Sequence, residues 1–217
     1  MIVAIDGPAG SGKSTIARLV AEHLGFTYVN SGSVYRAMTL RAIRLGLDPE
    51  DQEAIIACSR KARIEYRGGR LFLDGSDVEP ELRSSGVDAL VAQLSSIPAL
   101  REIVNAHVRT IAGTTDAVVE GRDMTTVVFP DADAKFYLDA SAEARARRRF
   151  DQGLTGSSLD EIRMNIEMRD SIDRSKSVGS LKIAPDSEYL DSSYLTIQEV
   201  YDKVYAKILQ IREDHGR

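Results

Sequence analysis

The chain has 217 residues, a length that suits one compact domain, or one with small insertions, and a buried core. Hydrophobic residues make up 43% and charged residues 28%, near the globular norm, which excludes a disordered chain and a coiled coil. The net charge of −5 argues against a general nucleic-acid binder, but leaves room for a local basic pocket that takes a small anion.

The first apolar run, Ile2 to Ile5, ends at Asp6-Gly7 and predicts a strand buried on both faces. A Gly-rich turn follows. Ile16, Leu19, Val20, His23 and Leu24 then recur at helical spacing, and Gly25 is the expected C-terminal stop. Phe26 to Val29 is a second short strand, and Ser33 to Leu45 a helix ended by Gly46. Between 62 and 79 the pattern changes: Ile64, Tyr66, Leu71, Leu73 and Val78 alternate with polar residues around Gly68-Gly69, a hairpin signal. Helical patterning returns over 82–112, broken at Pro98. Ala117–Val119 and Lys135–Leu138 are further buried strands, and Ala142–Arg149 and Leu159–Arg169 helices. Tyr189-Leu190 is a last strand and Ile197–Ile211 a terminal amphipathic helix. Strands alternating with helices predict an α/β fold with a mainly parallel sheet covered on both faces.

A single cysteine, Cys58, allows no intrachain disulfide and fits a reducing compartment. His23, His107 and His215 have no metal-ligand spacing. The longest uncharged run, the 13 residues from His23 to Tyr35, is too short and too polar to span a bilayer. The N-terminus enters a strand directly, without a basic region and cleavage site, so the expected location is the cytoplasm.

The strongest signal is Gly7-Pro8-Ala9-Gly10-Ser11-Gly12-Lys13-Ser14, which matches G-x-x-x-x-G-K-[ST] between a strand and a helix. Such a loop turns successive N–H groups toward phosphate oxygens, and the helix that follows presents its positive end to them. Lys13 is expected to reach the outer phosphates and Ser14 to offer its hydroxyl to Mg²⁺. Thr15 is expected to touch the outer phosphates or cap the helix.

The loop specifies a nucleoside triphosphate, not its fate. A GTPase switch, a mechanical ATPase and a kinase for a small acceptor are the three readings. None of Asn30, Asn105 and Asn165 is followed by Lys, so the N-K-x-D base reader of a GTPase is absent. The run Ala117 to Glu120 is apolar and ends in an acid, but continues into Gly121-Arg122-Asp123. The chain has 21 Arg against 7 Lys, and Arg36 and Arg122 follow predicted strands. Any one of these arginines could be a solvated surface group. At strand ends, as a set, they suit clamping of a second phosphate group.

Over nearly its whole length the chain resembles the bacterial cytidylate kinases. The resemblance rests on the loop through Thr15, on Ser31-Gly32-Ser33-Val34-Tyr35-Arg36 and on Pro98-Ala99-Leu100-Arg101. It also rests on Gly121-Arg122-Asp123-Met124, Val127 to Ala132, Arg145 to Arg149, Arg169-Asp170 and Asp173-Arg174. It implies a P-loop kinase with a five-stranded parallel core, a small antiparallel β insert in the acceptor-binding region and a helical lid. The core would comprise 1–35, 110–145 and 185–217, the acceptor region about 36–109 and the lid about 146–176. The reaction implied is Mg-dependent transfer from ATP to CMP or dCMP by a monomer, with no nucleic-acid polymer and no membrane as partner.

The resemblance also implies roles. Gly7, Pro8, Ala9, Gly10, Ser11, Gly12, Lys13, Ser14 and Thr15 would bind ATP, with Ser14 also at the metal. Ser31, Arg36, Arg101 and Arg122 would hold the phosphate and cytosine side of the acceptor, and Asp123 would help read the base. Arg169 and Asp173 would hold the sugar, with Lys176 beside the acceptor. Lys13, Arg122, Arg148 and Arg174 would carry catalysis, the last two in a lid that also takes in Arg145 to Arg149. The chain departs from the family pattern at Asn30 (commonly Asp), Ala92 (a hydroxyl residue), Thr125 (Gly), Lys176 (Arg) and Ser180 (Pro). The departures bear on acceptor discrimination, since lysine lacks the planar fork of arginine. A kinase for another small acceptor and a binding module without turnover are the competing readings.

Overall fold

The computed structural model describes residues 1–153, 158–214 and 216. In chain order the elements are β1 (Ile2–Asp6), α1 (Lys13–Leu24), β2 (Thr27–Asn30), α2 (Ser31–Arg44), α3 (Gln52–Arg60), β3 (Ile64–Arg67), β4 (Arg70–Leu73) and β5 (Ser76–Asp77). Then come α4 (Ser85–Leu94), α5 (Pro98–Ala112), β6 (Ala117–Gly121), a π-helical turn (Met124–Val128), β7 (Ala134–Asp139), α6 (Ala142–Asp151), α7 (Leu159–Ser175), β8 (Glu188–Asp191) and α8 (Ile197–Asp214). Five strands form one sheet in the order β2-β6-β1-β7-β8, and β3-β4-β5 form a second. β1 pairs in parallel with β6 on one side and β7 on the other, and β7 with β8. The small sheet is antiparallel, its first turn made by Gly68 and Gly69, both with positive φ. The α/β class, the five-stranded parallel sheet and the β insert expected from the sequence are all present.

The chain divides into two compact units, one of 1–28 with 116–217 and one of 29–115. In the first, Val3, Ile5, Val118, Phe136 and Leu138 of the central strands pack with Ile16, Val20, Val200, Val204 and Ile208 of α1 and α8. Strands covered by helices on both faces need continuous apolar runs, which is what β1, β6 and β7 carry. A small satellite core of Ala146, Ile162 and Ile166 joins α6 to α7. Ser158 and Glu161 start α7 with a reciprocal capping box. Within the segment expected as a lid, 154–157 lie outside the described residues, as does His215.

In the second unit, Asn30 accepts from the Ser33 amide at 3.1 Å and caps α2, a role that asparagine and aspartate fill equally well. Its carbonyl accepts from the Tyr66 hydroxyl at 3.1 Å, which ties the hairpin to the start of α2. Pro98 opens α5 at a position where its missing N–H costs nothing. The sequence pattern marks nothing over 52–60, where the structure has α3. That helix is nine residues long and buries only Ile55, Cys58 and Ser59, too few for a clear period. Among the described residues no helix is long and apolar enough to cross a membrane.

Candidate active site

The loop between β1 and α1 is shaped by its glycines. A Cβ on Gly7 would lie 2.0 Å from the Leu138 carbonyl oxygen, so the loop passes directly over the end of β7. Gly10 and Gly12 have φ of 81° and 91°. Gly12 stands at the N-cap of α1 without a side-chain cap, so the positive end of the helix faces an anion site with no competing side chain.

Lys13 is 6% exposed, and its ammonium donates to the Pro8 carbonyl at 3.1 Å, folded back across its own loop. Burial, and then the Arg122 guanidinium, push it down to about 7. Glu120 works the other way, and Arg169 adds to the lowering. The charges of Arg122 and Arg169 thus act on Lys13 from elsewhere in the chain. That coupling is not visible in their numbers along the chain.

The Ser14 hydroxyl donates at 2.8 Å to Oε2 of Glu120, a buried residue on β6. The Tyr28 hydroxyl donates to the other Glu120 oxygen. Glu120 thus orients Ser14, and the lone pairs of the Ser14 oxygen remain available. A hard oxygen ligand of this kind suits Mg²⁺ that keeps most of its contacts to phosphates and water. Among the described residues no group of three His, Cys, Asp or Glu could hold a metal by itself. Sequence reasoning passed over Glu120 as a site residue, although an acid ending an apolar strand was the signal.

At the far end of the same region, Asp173 accepts from Arg122 Nε at 2.9 Å and from Lys176 Nζ at 2.8 Å. Burial opposes its charge, but the Arg122 guanidinium and the Lys176 ammonium outweigh it and hold the carboxyl down at about 2. Lys176 thus reaches Asp173 as a point charge. Because the folded value lies below the ordinary 3.8, Asp173 stabilises the fold fully above about pH 4, and that contribution is lost as pH falls through about 2. Urea unfolding of Asp173→Asn should show roughly 2 kcal/mol of lost stability at pH 6 and much less at pH 2. An equal loss at both pH values would count against the ion pairs.

The arginines of α6 divide by partner. Arg145 is buried and makes a two-point pair with Asp170 of α7, at 3.0 and 2.6 Å. It also donates to the carbonyls of Ala9, at 3.1 Å, and Ala140, at 2.8 Å. Arg148 donates to the Ser192 hydroxyl at 3.1 Å and to the Ser192 carbonyl. Ser192 in turn donates to the Ser11 carbonyl at 3.2 Å, so Arg148 is joined to the phosphate loop through one residue. Arg149 lies over the loop, with Nε 3.7 Å from where a Gly10 Cβ would be. Arg174 lines a polar cleft of about 400 Å³ with Asp139, Glu167, Asp170 and Tyr189.

The remaining acceptor residues belong to the second unit. Ser31 is buried at the start of α2. Arg36 donates to the Leu82 carbonyl at 2.9 Å and to Asp88 at 2.6 Å. Arg101, 4% exposed on α5, donates to the Ser95 carbonyl at 3.1 Å and lies over the Tyr35 ring at 5.4 Å. Ala92 is exposed on α4. Asp123 belongs to the first unit, where it is buried beside Arg122 at the end of β6.

A phosphate loop at the carboxyl end of a parallel sheet, with Lys13 buried in it and Arg145 donating to the Ala9 carbonyl, defines a P-loop fold. A shikimate kinase from Bacteroides thetaiotaomicron has a similar fold, at a TM-score of 0.51 over 98% of both chains and 12% identity. The family model for cytidylate kinase matches residues 3–210, and the chain belongs to that family, the nucleoside monophosphate kinases that act as phosphotransferases. The cytidylate kinase of Caldanaerobacter subterraneus subsp. tengcongensis is 43% identical, over 95% of this chain and 93% of that protein. That of Limosilactobacillus reuteri is 39% identical over 98% and 96%, and that of Mycolicibacterium paratuberculosis 40% over 98% and 97%.

Proposed function

We infer that the chain transfers the γ-phosphoryl group of ATP to CMP or dCMP, giving CDP or dCDP and ADP. What supports this reading is a phosphate loop with Lys13 buried in it, in a member of the cytidylate kinase family. The loop from Gly7 to Thr15 would take the donor phosphates. Ser14 would hold Mg²⁺, which when bound offsets the charge of the outer phosphates.

An oxygen of the acceptor phosphate attacks the γ-phosphorus, the bond to the β–γ bridging oxygen breaks, and ADP leaves. The attacking oxygen is already anionic at pH 7, because the second ionisation of a phosphate monoester lies near pH 6. No general base is needed, so the work falls to alignment and charge neutralisation. Lys13 and Arg122 would stabilise the charge on the transferred group, and Arg148 and Arg174 would close on it. Ser31, Arg36, Arg101, Asp123, Arg169, Asp173 and Lys176 would hold the acceptor. The segment from about 146 to 176 would act as a lid that excludes water and limits ATP hydrolysis. A cytoplasmic monomer with no membrane or nucleic-acid partner completes the reading.

ADP release with Mg·ATP should be measured against CMP, dCMP, UMP, dUMP, AMP and GMP. Selective turnover of CMP and dCMP is expected. UMP turnover of equal size would show that Ala92 and Lys176 loosen base discrimination, and no turnover with any acceptor would overturn the reading.

A further inference from the structure

Asp6, the last residue of β1, is fully buried between Gly121 of β6 and Tyr137 of β7. Its Oδ1 accepts from the Met124 amide at 2.9 Å. Its Oδ2 accepts from both the amide and the hydroxyl of Thr125, each at 2.7 Å. The residue on its C-terminal side, Gly7, begins the phosphate loop. The residues just before Met124 are Arg122 and Asp123, and the turn they lead into is π-helical, with Val128 N on the Asp123 carbonyl at 3.1 Å and Phe129 N on that of Met124 at 2.8 Å.

We propose that Asp6 and Thr125 are positioning residues: their hydrogen bonds lock the turn that carries Arg122 and Asp123 to the strand that delivers the phosphate loop. Both are buried, Asp6 at 0% and Thr125 at 1% exposure. Two carboxylate oxygens serve three donors, an arrangement that only the ionised form can satisfy in full. The Thr125 hydroxyl adds a third donor to the two backbone amides.

The lock is sensitive to protonation. Burial pushes the Asp6 carboxyl up to about 6, against the hydrogen bonds from Thr125 and Met124, with Asp123 adding to the rise. The charged or titratable groups facing it are Lys13 at the start of α1, Asp123 at the end of β6 and Tyr137 on β7. Removing the hydroxyl takes away one of the influences that lower the value. The pH below which the lock opens must then move up.

The test compares wild type with Thr125→Val and Thr125→Ser. The role in catalysis rests on the kinase reading, so a second readout is independent of activity: thermal midpoints from pH 5 to pH 8. For Thr125→Val, the midpoint should drop relative to wild type at pH 8, and the drop should shrink toward pH 5, where Asp6 is protonated in both proteins. In the kinase assay the acid limb of kcat/KM for CMP should move up by about half to one pH unit. Activity at pH 6 should then fall about 2- to 5-fold, with little change at pH 8. Thr125→Ser should restore both profiles. A midpoint difference independent of pH, or a serine variant that behaves as valine does, would overturn the proposal. A wild type without turnover on any acceptor would overturn the kinase reading and leave the midpoint test standing.

Discussion

Lys13→Ala is expected to lower kcat roughly 10²- to 10³-fold, the usual cost of removing one charged group that stabilises a transferred oxyanion in a site closed to water. A steady-state assay with saturating CMP checks it. Activity within a factor of three of wild type would remove Lys13 from the catalytic groups. A binding experiment gives a second result from the same residue. In the nucleotide-free protein burial holds Lys13 down at about 7, so at pH 8 the neutral form is expected to prevail. A bound triphosphate favours the charged form, so ATP binding at pH 8 should take up close to one proton in wild type and none in Lys13→Ala. Calorimetry in two buffers of different ionisation enthalpy reads this directly. Identical proton uptake by the two proteins would show that Lys13 is not the group that titrates.

The largest effect on stability is expected at Arg145→Ala. Arg145 and Asp170 are 4% and 6% exposed as side chains, and the pair is two-pointed. Removing the arginine leaves a buried carboxylate without its partner, which costs about 3–5 kcal/mol. It also frees the Ala9 and Ala140 carbonyls, so the phosphate loop loses its direct hydrogen bond from α6. The midpoint of thermal unfolding should fall by about 10 °C. The double variant Arg145→Ala/Asp170→Ala should recover part of the loss, because no unpaired charge remains. A loss below about 1 kcal/mol in the single variant would mean that Asp170 finds another partner or accepts a proton at little cost. Arg145→Lys should fall between, since an ammonium cannot reproduce the fork.

Read from the sequence, Arg145 sits in a run of like residues, Arg145 to Arg149, and the run suggests one shared role. The fold separates them. Arg145, Arg148 and Arg149, at i, i+3 and i+4, share one face of α6, so what separates them is the partners that the fold brings to that face. Arg145 points at Asp170, Arg148 at Ser192 and Arg149 across Gly10. The phosphate loop was legible for the opposite reason. Its chemistry is made by contiguous residues, and the flanking apolar run and helical period mark its context. The hairpin around Gly68-Gly69 was legible in the same local way.

Thus the sequence by itself determined the strand–loop–helix unit that binds phosphate, the alternation of strands and helices, and the family motifs around Arg36, Arg101 and Arg122. Only the tertiary structure decided which distant groups act on those parts. Ser14 meets Glu120 across 106 residues and Asp6 meets Thr125 across 119. Both meetings follow from β1 lying beside β6 in the sheet, an order that no local period encodes. A hydrogen bond to a buried carboxylate depends on position in space to within a few tenths of an ångström, and position is settled only when the strands pair and the core closes.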